Sequence, residues 1–144
     1  MLLLDVNVLV YAHREDAPGH HSYRSWLEDL VNSDAAFALS ELVLMGFLRV
    51  VTHPRVFSVP TGLDAAVEAA ERLRGWPNSV PVSPGARHWD IFVRLCRRSG
   101  AKGNLVSDAY HAALAIESGS EWITTDRDYA RFPDLRWRHP LEGG

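Results

Sequence analysis

The sequence is short of several things, and each shortage narrows what the chain can be. It holds one cysteine, Cys96, so no internal disulfide can form, which suits a reducing, cytoplasmic setting. With no catalytic framework around it, that thiol reads as core filler. No apolar stretch approaches the roughly 18–20 residues of a membrane span. The start lacks the basic region and long apolar segment of a secretion signal. Both points lead to the expectation of no membrane association. Lysine is almost missing: Lys102 stands against fourteen arginines. Arginine suits bidentate phosphate contacts, although genome composition produces the same bias. The net charge of −3 gives no global pull toward nucleic acid. Internal repeats, low-complexity tracts and long linkers are absent too. At 144 residues, 47% hydrophobic and 23% charged, residues 1–144 read as one globular domain with a real core.

What is present alternates between two periodicities. Leu2 to Asp5, Ala36 to Leu39, Ser79 to Val82, Glu121 to Thr125 and Leu135 to Arg138 read as short strands. Between them, helices are expected over Val6–His13, Gly19–Asn32, Ser40–Thr52, Thr61–Gly75, Pro84–Ser99, Asn104–Ser118 and, briefly, Asp126–Arg131. Ser40 is placed to cap its helix, His53-Pro54 to end it, and Gly100 and Gly119 to close two others. Strands alternating with helices imply an α/β sandwich around a mainly parallel sheet.

Chemistry in such folds gathers at the carboxyl ends of the strands, and carboxylates stand there repeatedly. Asp5 follows the first apolar run directly, and Asp126 bears the same relation to Trp122–Thr125. Glu41 lies one turn before Leu44 and is expected to point inward with Leu44, Phe47, Leu48 and Val51. Asp108 is expected in the first turn of its helix, beside a buried stripe of Val106, Ala109, Ala113 and Ile116. Asp128 is expected to be exposed. Each acid taken alone is also compatible with capping or with the helix dipole; for the helix after Asp5, Asn7 reads as the better cap. Taken together on one sheet edge they would repel one another. A divalent cation would relieve that repulsion, and oxygen ligands suit Mg²⁺ or Mn²⁺.

Four segments carry a family resemblance: Asp5-Val6-Asn7-Val8-Leu9-Val10-Tyr11-Ala12, Ser40-Glu41, Asp108 to Ala115, and Thr124-Thr125-Asp126-Arg127-Asp128-Tyr129. In this order and spacing the chain resembles the PIN-domain nucleases, nearest to the VapC-type toxins of bacterial toxin–antitoxin pairs. The resemblance implies a PIN-like three-layer α/β/α sandwich. It also implies an acidic metal site of Asp5, Glu41, Asp108 and Asp126, with Asn7 and Thr124 as hydrogen-bonding neighbours. Asp128 would be an auxiliary ligand, and Asn104 sits where some relatives carry another polar or acidic group. Tyr129 departs from the more usual Phe. The implied activity is Mg²⁺- or Mn²⁺-dependent hydrolysis of RNA phosphodiesters by water, leaving 5′-phosphate and 3′-hydroxyl ends. The implied partners are an RNA substrate, a VapB-like antitoxin and a second copy in a homodimer.

Because an acidic pocket repels phosphate, RNA binding is expected to use surrounding cations: Arg14, Arg49, Arg97, Arg98, Lys102 and Arg127. His20-His21 read as a solvent-facing pair, His111 as a partly buried structural residue, and the five tryptophans as core or interface residues. Two alternatives stand beside the nuclease. An aspartyl-nucleophile phosphatase would want a second acid two residues after Asp5, where Asn7 stands. A non-catalytic RNA-binding PIN-like module would not need all four carboxylates.

Overall fold

The computed structural model describes residues 1–142. Five short strands form one sheet: β1 (Leu2–Leu4), β2 (Phe37–Leu39), β3 (Ser79–Pro81), β4 (Glu121–Ile123) and β5 (Trp137–Arg138). Their order is β3-β2-β1-β4-β5 and every pairing is parallel. Six helices connect them: α1 (Val6–His13), α2 (His20–Val31), α3 (Glu41–Val51), α4 (Leu63–Arg74), α5 (His88–Ser99) and α6 (Asn104–Ser118). A 3₁₀ turn covers Arg127–Arg131. Among the described residues no helix is long and apolar enough to cross a membrane.

The three central strands, β1, β2 and β4, are buried because the helices cover them. Leu3, Leu4, Phe37, Ala38, Trp122 and Ile123 are fully enclosed, the near-continuous apolar pattern of a parallel sheet covered by helices. The helices fall into two packed groups, α1 with α2 and α3 (and α3 with α4), and α5 with α6. The chain runs outward from β1 through β2 to β3, then returns by α5 and α6 to β4 on the other side of β1. That reversal makes the β1/β4 seam the switch point where an open α/β sheet leaves a crevice at its carboxyl edge.

Local sequence explains most element ends. Ser40 Oγ accepts from Val43 N at 3.1 Å and caps α3. Gly100 and Gly119 close α5 and α6 in the left-handed conformation, with φ +62° and +67°. Three expectations are corrected. The helix expected from Pro84 starts only at His88, because the N–H groups of Gly85 and Arg87 donate to the Glu117 carboxylate at 2.7 and 2.9 Å. That carboxylate satisfies them without a helical turn. Asp5, and not Asn7, is the N-cap of α1, its Oδ1 accepting from Val6 N at 2.6 Å. Asp108 lies in the second turn of α6, since that helix begins at Asn104; Val106 is exposed, and Ala109 and Ala112–Ala115 form the buried face.

The first turn of α1 is pressed against α3 at Gly46, where an added Cβ would meet Val6 Cγ2 at 2.8 Å. Val6 adjoins Asp5, so this close approach fixes how the site enters the fold. Alanine normally gains about 1 kcal/mol over glycine inside a helix. Gly46→Ala is nonetheless expected to lower stability by about 1–3 kcal/mol through overpacking, measurable by urea unfolding.

Candidate active site

The site is assembled across the β1/β4 seam. Asp5 N donates to Ile123 O at 2.9 Å, continuing the ladder one residue past the strands. Its partner across the seam is then Thr124, fully buried, whose Oγ1 donates to Asp5 Oδ2 at 2.6 Å. The same Thr124 oxygen accepts from Asp126 N at 3.0 Å. Asp126 caps the 3₁₀ turn, its Oδ1 accepting from Asp128 N at 2.9 Å. From the other side, α6 presents Asp108, whose Oδ1 accepts from the Tyr129 hydroxyl at 3.3 Å. One chain of hydrogen bonds runs from β1 to the turn after β4, and a second tethers α6 to that turn.

Electrostatics follow from the crowding. Burial pushes the Asp5 carboxyl up to about 6, despite the Thr124 and Val6 donors that favour its charged form, and the charges of Asp108 and Asp126 push it the same way. Burial and then Asp126 also raise Asp108. Burial and the neighbouring carboxylates hold the Tyr129 hydroxyl protonated, so it remains a donor. Among the described residues, no basic side chain forms an ion pair with Asp5, Asp108, Asp126 or Asp128. The result is a carboxylate group without a counter-charge, offering only oxygen donors. That chemistry fits a hard divalent cation. The arrangement is open: among the described residues, no three Asp, Glu, His or Cys side chains stand close enough to enclose an ion as they are.

Several expected site residues lie elsewhere. Glu41 does not point inward; its side chain is 90% exposed and, among the described residues, its ion-pair contact is with Arg74, at 3.9 Å. Val43, Leu44, Gly46, Phe47 and Val51 are the buried residues of α3; their face centres near Phe47, and Glu41 stands about 120° round the helix from it, so it falls off the stripe. A groove of about 980 Å³ opens beside the cluster, with Glu41, Arg74, Tyr110 and Leu114 on its walls and Asp5, Asp108 and Asp126 outside it. Asn7 is exposed and makes no side-chain hydrogen bond among the described residues. Arg14 and Arg49 do not surround the pocket. They lie at the carboxyl ends of α1 and α3, about 12 Å along each helix from the sheet edge that carries the acids. Arg14 is also held by Asp16, by Thr61 and over the Phe57 ring. Arg97, Arg98 and Lys102 sit where α5 turns into α6, and Arg127 follows Asp126 directly, paired with Glu142. His111 stacks on Trp122 with ring centroids 5.3 Å apart; burial lowers it to about 4, so it is neutral and structural. Tyr129 is the residue the sequence reading passed over, and its signal was the departure from Phe.

Comparison with known proteins places these motifs in context. The PIN domain family matches residues 2–135. The chain is similar to VapC ribonuclease Mb2897 of Mycobacterium bovis, 48% identical over 143 residues that cover 99% of this chain and 97% of that one. It is also similar to Ribonuclease VapC25 of Mycobacterium tuberculosis, 39% identical over 140 residues, 97% of this chain and 99% of that one. In fold it resembles VapBC2 from Rickettsia felis, solved bound to a DNA fragment from its promoter. There the TM-score is 0.68 at 21% identity, over 96% of this chain and 97% of that one.

Asp5 binds its proton more tightly folded than unfolded, because its pKa rises from 3.8 to about 6. Its contribution to stability is therefore present near pH 4 and lost as pH climbs to about 6, by roughly 3 kcal/mol. His111, with its lowered pKa, acts in the opposite direction over a similar range, so the difference between parent and Asp5→Asn isolates Asp5. In buffer free of divalent metal, the stability of Asp5→Asn measured by urea unfolding is expected to gain on the parent between pH 4 and pH 7.

Proposed function

The chain belongs to the PIN-domain family, and from that premise we propose that it is a divalent-metal-dependent endoribonuclease, the toxin of a type II toxin–antitoxin pair. The observation that carries the reading is the convergence of Asp5, Asp108 and Asp126 at the β1/β4 edge without a cationic partner. Identity of 48% to a VapC ribonuclease over nearly the whole chain supports the substrate class.

Asp5, Asp108 and Asp126 are the proposed metal-holding residues, with Asp128 auxiliary. When bound, Mg²⁺ or Mn²⁺ supplies charge neutralisation at the scissile phosphate and lowers the pKa of water. The protein's own contribution is positioning. Thr124 Oγ1 and Val6 N occupy one lone pair on each Asp5 oxygen, so the carboxylate plane is set before any ligand arrives. The Asp128 amide does the same for Asp126, and the Tyr129 hydroxyl for Asp108. Glu41 is the proposed fourth carboxylate. Its contact with Arg74 is long and exposed, so releasing it costs little. The toxin role brings with it a VapB-like antitoxin, a homodimer and a cytoplasmic location.

Asp5→Asn and Asp126→Asn are expected to lower RNA cleavage at least a hundredfold with an unchanged circular dichroism spectrum, and EDTA to stop the parent. Products should carry 5′-phosphate and 3′-hydroxyl ends; 2′,3′-cyclic phosphate ends would exclude attack by water. Mg²⁺ or Mn²⁺ should raise the parent's unfolding midpoint more at pH 7.5 than at pH 5, where protons compete for Asp5.

A further inference from the structure

The solvent face of α5 has a composition unlike the rest of the chain. From residue 87 to residue 102 five cations (Arg87, Arg94, Arg97, Arg98 and Lys102) stand against one acid, Asp90, in a protein of net charge −3. All five are exposed. Arg98 pairs with Asp134 at 3.0 Å; the side chains of the other four form no ion pair among the described residues. On the same helix Trp89 is 64% exposed. Tryptophan is among the most buried side chains on average, so an indole left in solvent needs a reason. It is also held in place: its ring lies 5.4 Å from Phe92, which packs 5.4 Å from Tyr110.

The face is joined to the carboxylates at its carboxyl end. Residues 100–103 lead directly from Arg97 and Arg98 into α6, whose second turn carries Asp108. The distance along the helix from Trp89 to Arg98 is about 14 Å.

We propose that this face is the track for single-stranded RNA leading into the site, with phosphates passing Arg94 and Arg97 and a base stacked on Trp89. A row of cations beside an exposed, buttressed aromatic is how proteins hold a single strand without reading its sequence. The need is specific here, because the carboxylate cluster repels the phosphate it must receive. Arg87, Arg94 and Trp89 are the new members; Arg97 gains a stated role. The ligand's identity as RNA rests on the ribonuclease reading.

The test uses the full-length chain in EDTA, so that binding is separated from cleavage, and a fluorescein-labelled 12-nucleotide oligouridylate. Trp89→Leu is expected to weaken binding about tenfold and to abolish the quenching of tryptophan emission that RNA produces. Arg94→Gln with Arg97→Gln should lower the slope of log K against log salt by about 1.4. With Mg²⁺ and a cleavable RNA, the loss should fall on KM more than on kcat. Light scattering follows the oligomeric mass in parallel. A parent that does not bind the probe at low salt overturns the proposal, as do variants that bind with the parent's affinity and salt slope. Variants that lose assembly mass and not RNA affinity also overturn it, making α5 a protein interface. A parent that cuts RNA while the variants bind and cut like it sinks the track alone. A parent that binds through α5 but cuts no RNA sinks the ribonuclease reading and leaves the track standing.

Discussion

The hydrogen bond from Thr124 to Asp5 joins residues 119 positions apart, and the rest of the site depends on it. It exists because β4 returns to lie beside β1 in register, Leu4 opposite Ile123. The next residues on each strand are then forced together at the carboxyl edge. Asp5 pays for that placement with a raised pKa, and Thr124 offsets part of it. The same oxygen that donates to Asp5 accepts from the Asp126 amide. A single threonine hydroxyl therefore sets the spacing between two carboxylates that would otherwise move apart.

The elements of this arrangement were legible in the sequence to different depths. Strand and helix order followed from apolar runs and their periods, and the Ser40 and Gly100 ends followed from capping chemistry. The position of Asp5 and Asp126 at strand ends was equally readable, because a strand's carboxyl end is a matter of counting. Which way a helical carboxylate points was not. Glu41 differs from an inward-facing position by a fraction of a turn: Leu44, Phe47 and Val51 are buried as expected, but Val43 and Gly46 are buried with them and shift the centre of the face away from Glu41, which an apolar run cannot reveal. The false helical start at Pro84 had a different origin. Glu117, more than thirty residues away, supplies the acceptor for the Gly85 amide, and no local pattern announces such a partner.

The arginines carry the same lesson in reverse. Arg14 was expected beside the acids, whereas an eight-residue helix carries it about 12 Å from them. Arg97 and Arg98 precede Asp108 by about ten residues, and the α5–α6 turn keeps them at the end of α6 that carries it. Distance along a helix separates; distance through a turn does not. Trp89 shows the limit of composition, since five tryptophans in a chain of this size suggest core, and only burial separates the enclosed Trp122 from the exposed Trp89.

Tyr129 links these strands of argument. Its ring sits in the core against Trp122 and Phe132, where phenylalanine would pack as well. What phenylalanine lacks is the hydroxyl that reaches Asp108. An unpartnered hydroxyl in that position would cost about 1–3 kcal/mol, so its presence requires an acceptor, and the acceptor available is a carboxylate already raised by its neighbours. The core residue and the site residue thus satisfy each other. The turn after β4 is anchored by the Tyr129 ring in the apolar layer, and through the Tyr129 hydroxyl it holds Asp108, the carboxylate that α6 brings to this edge.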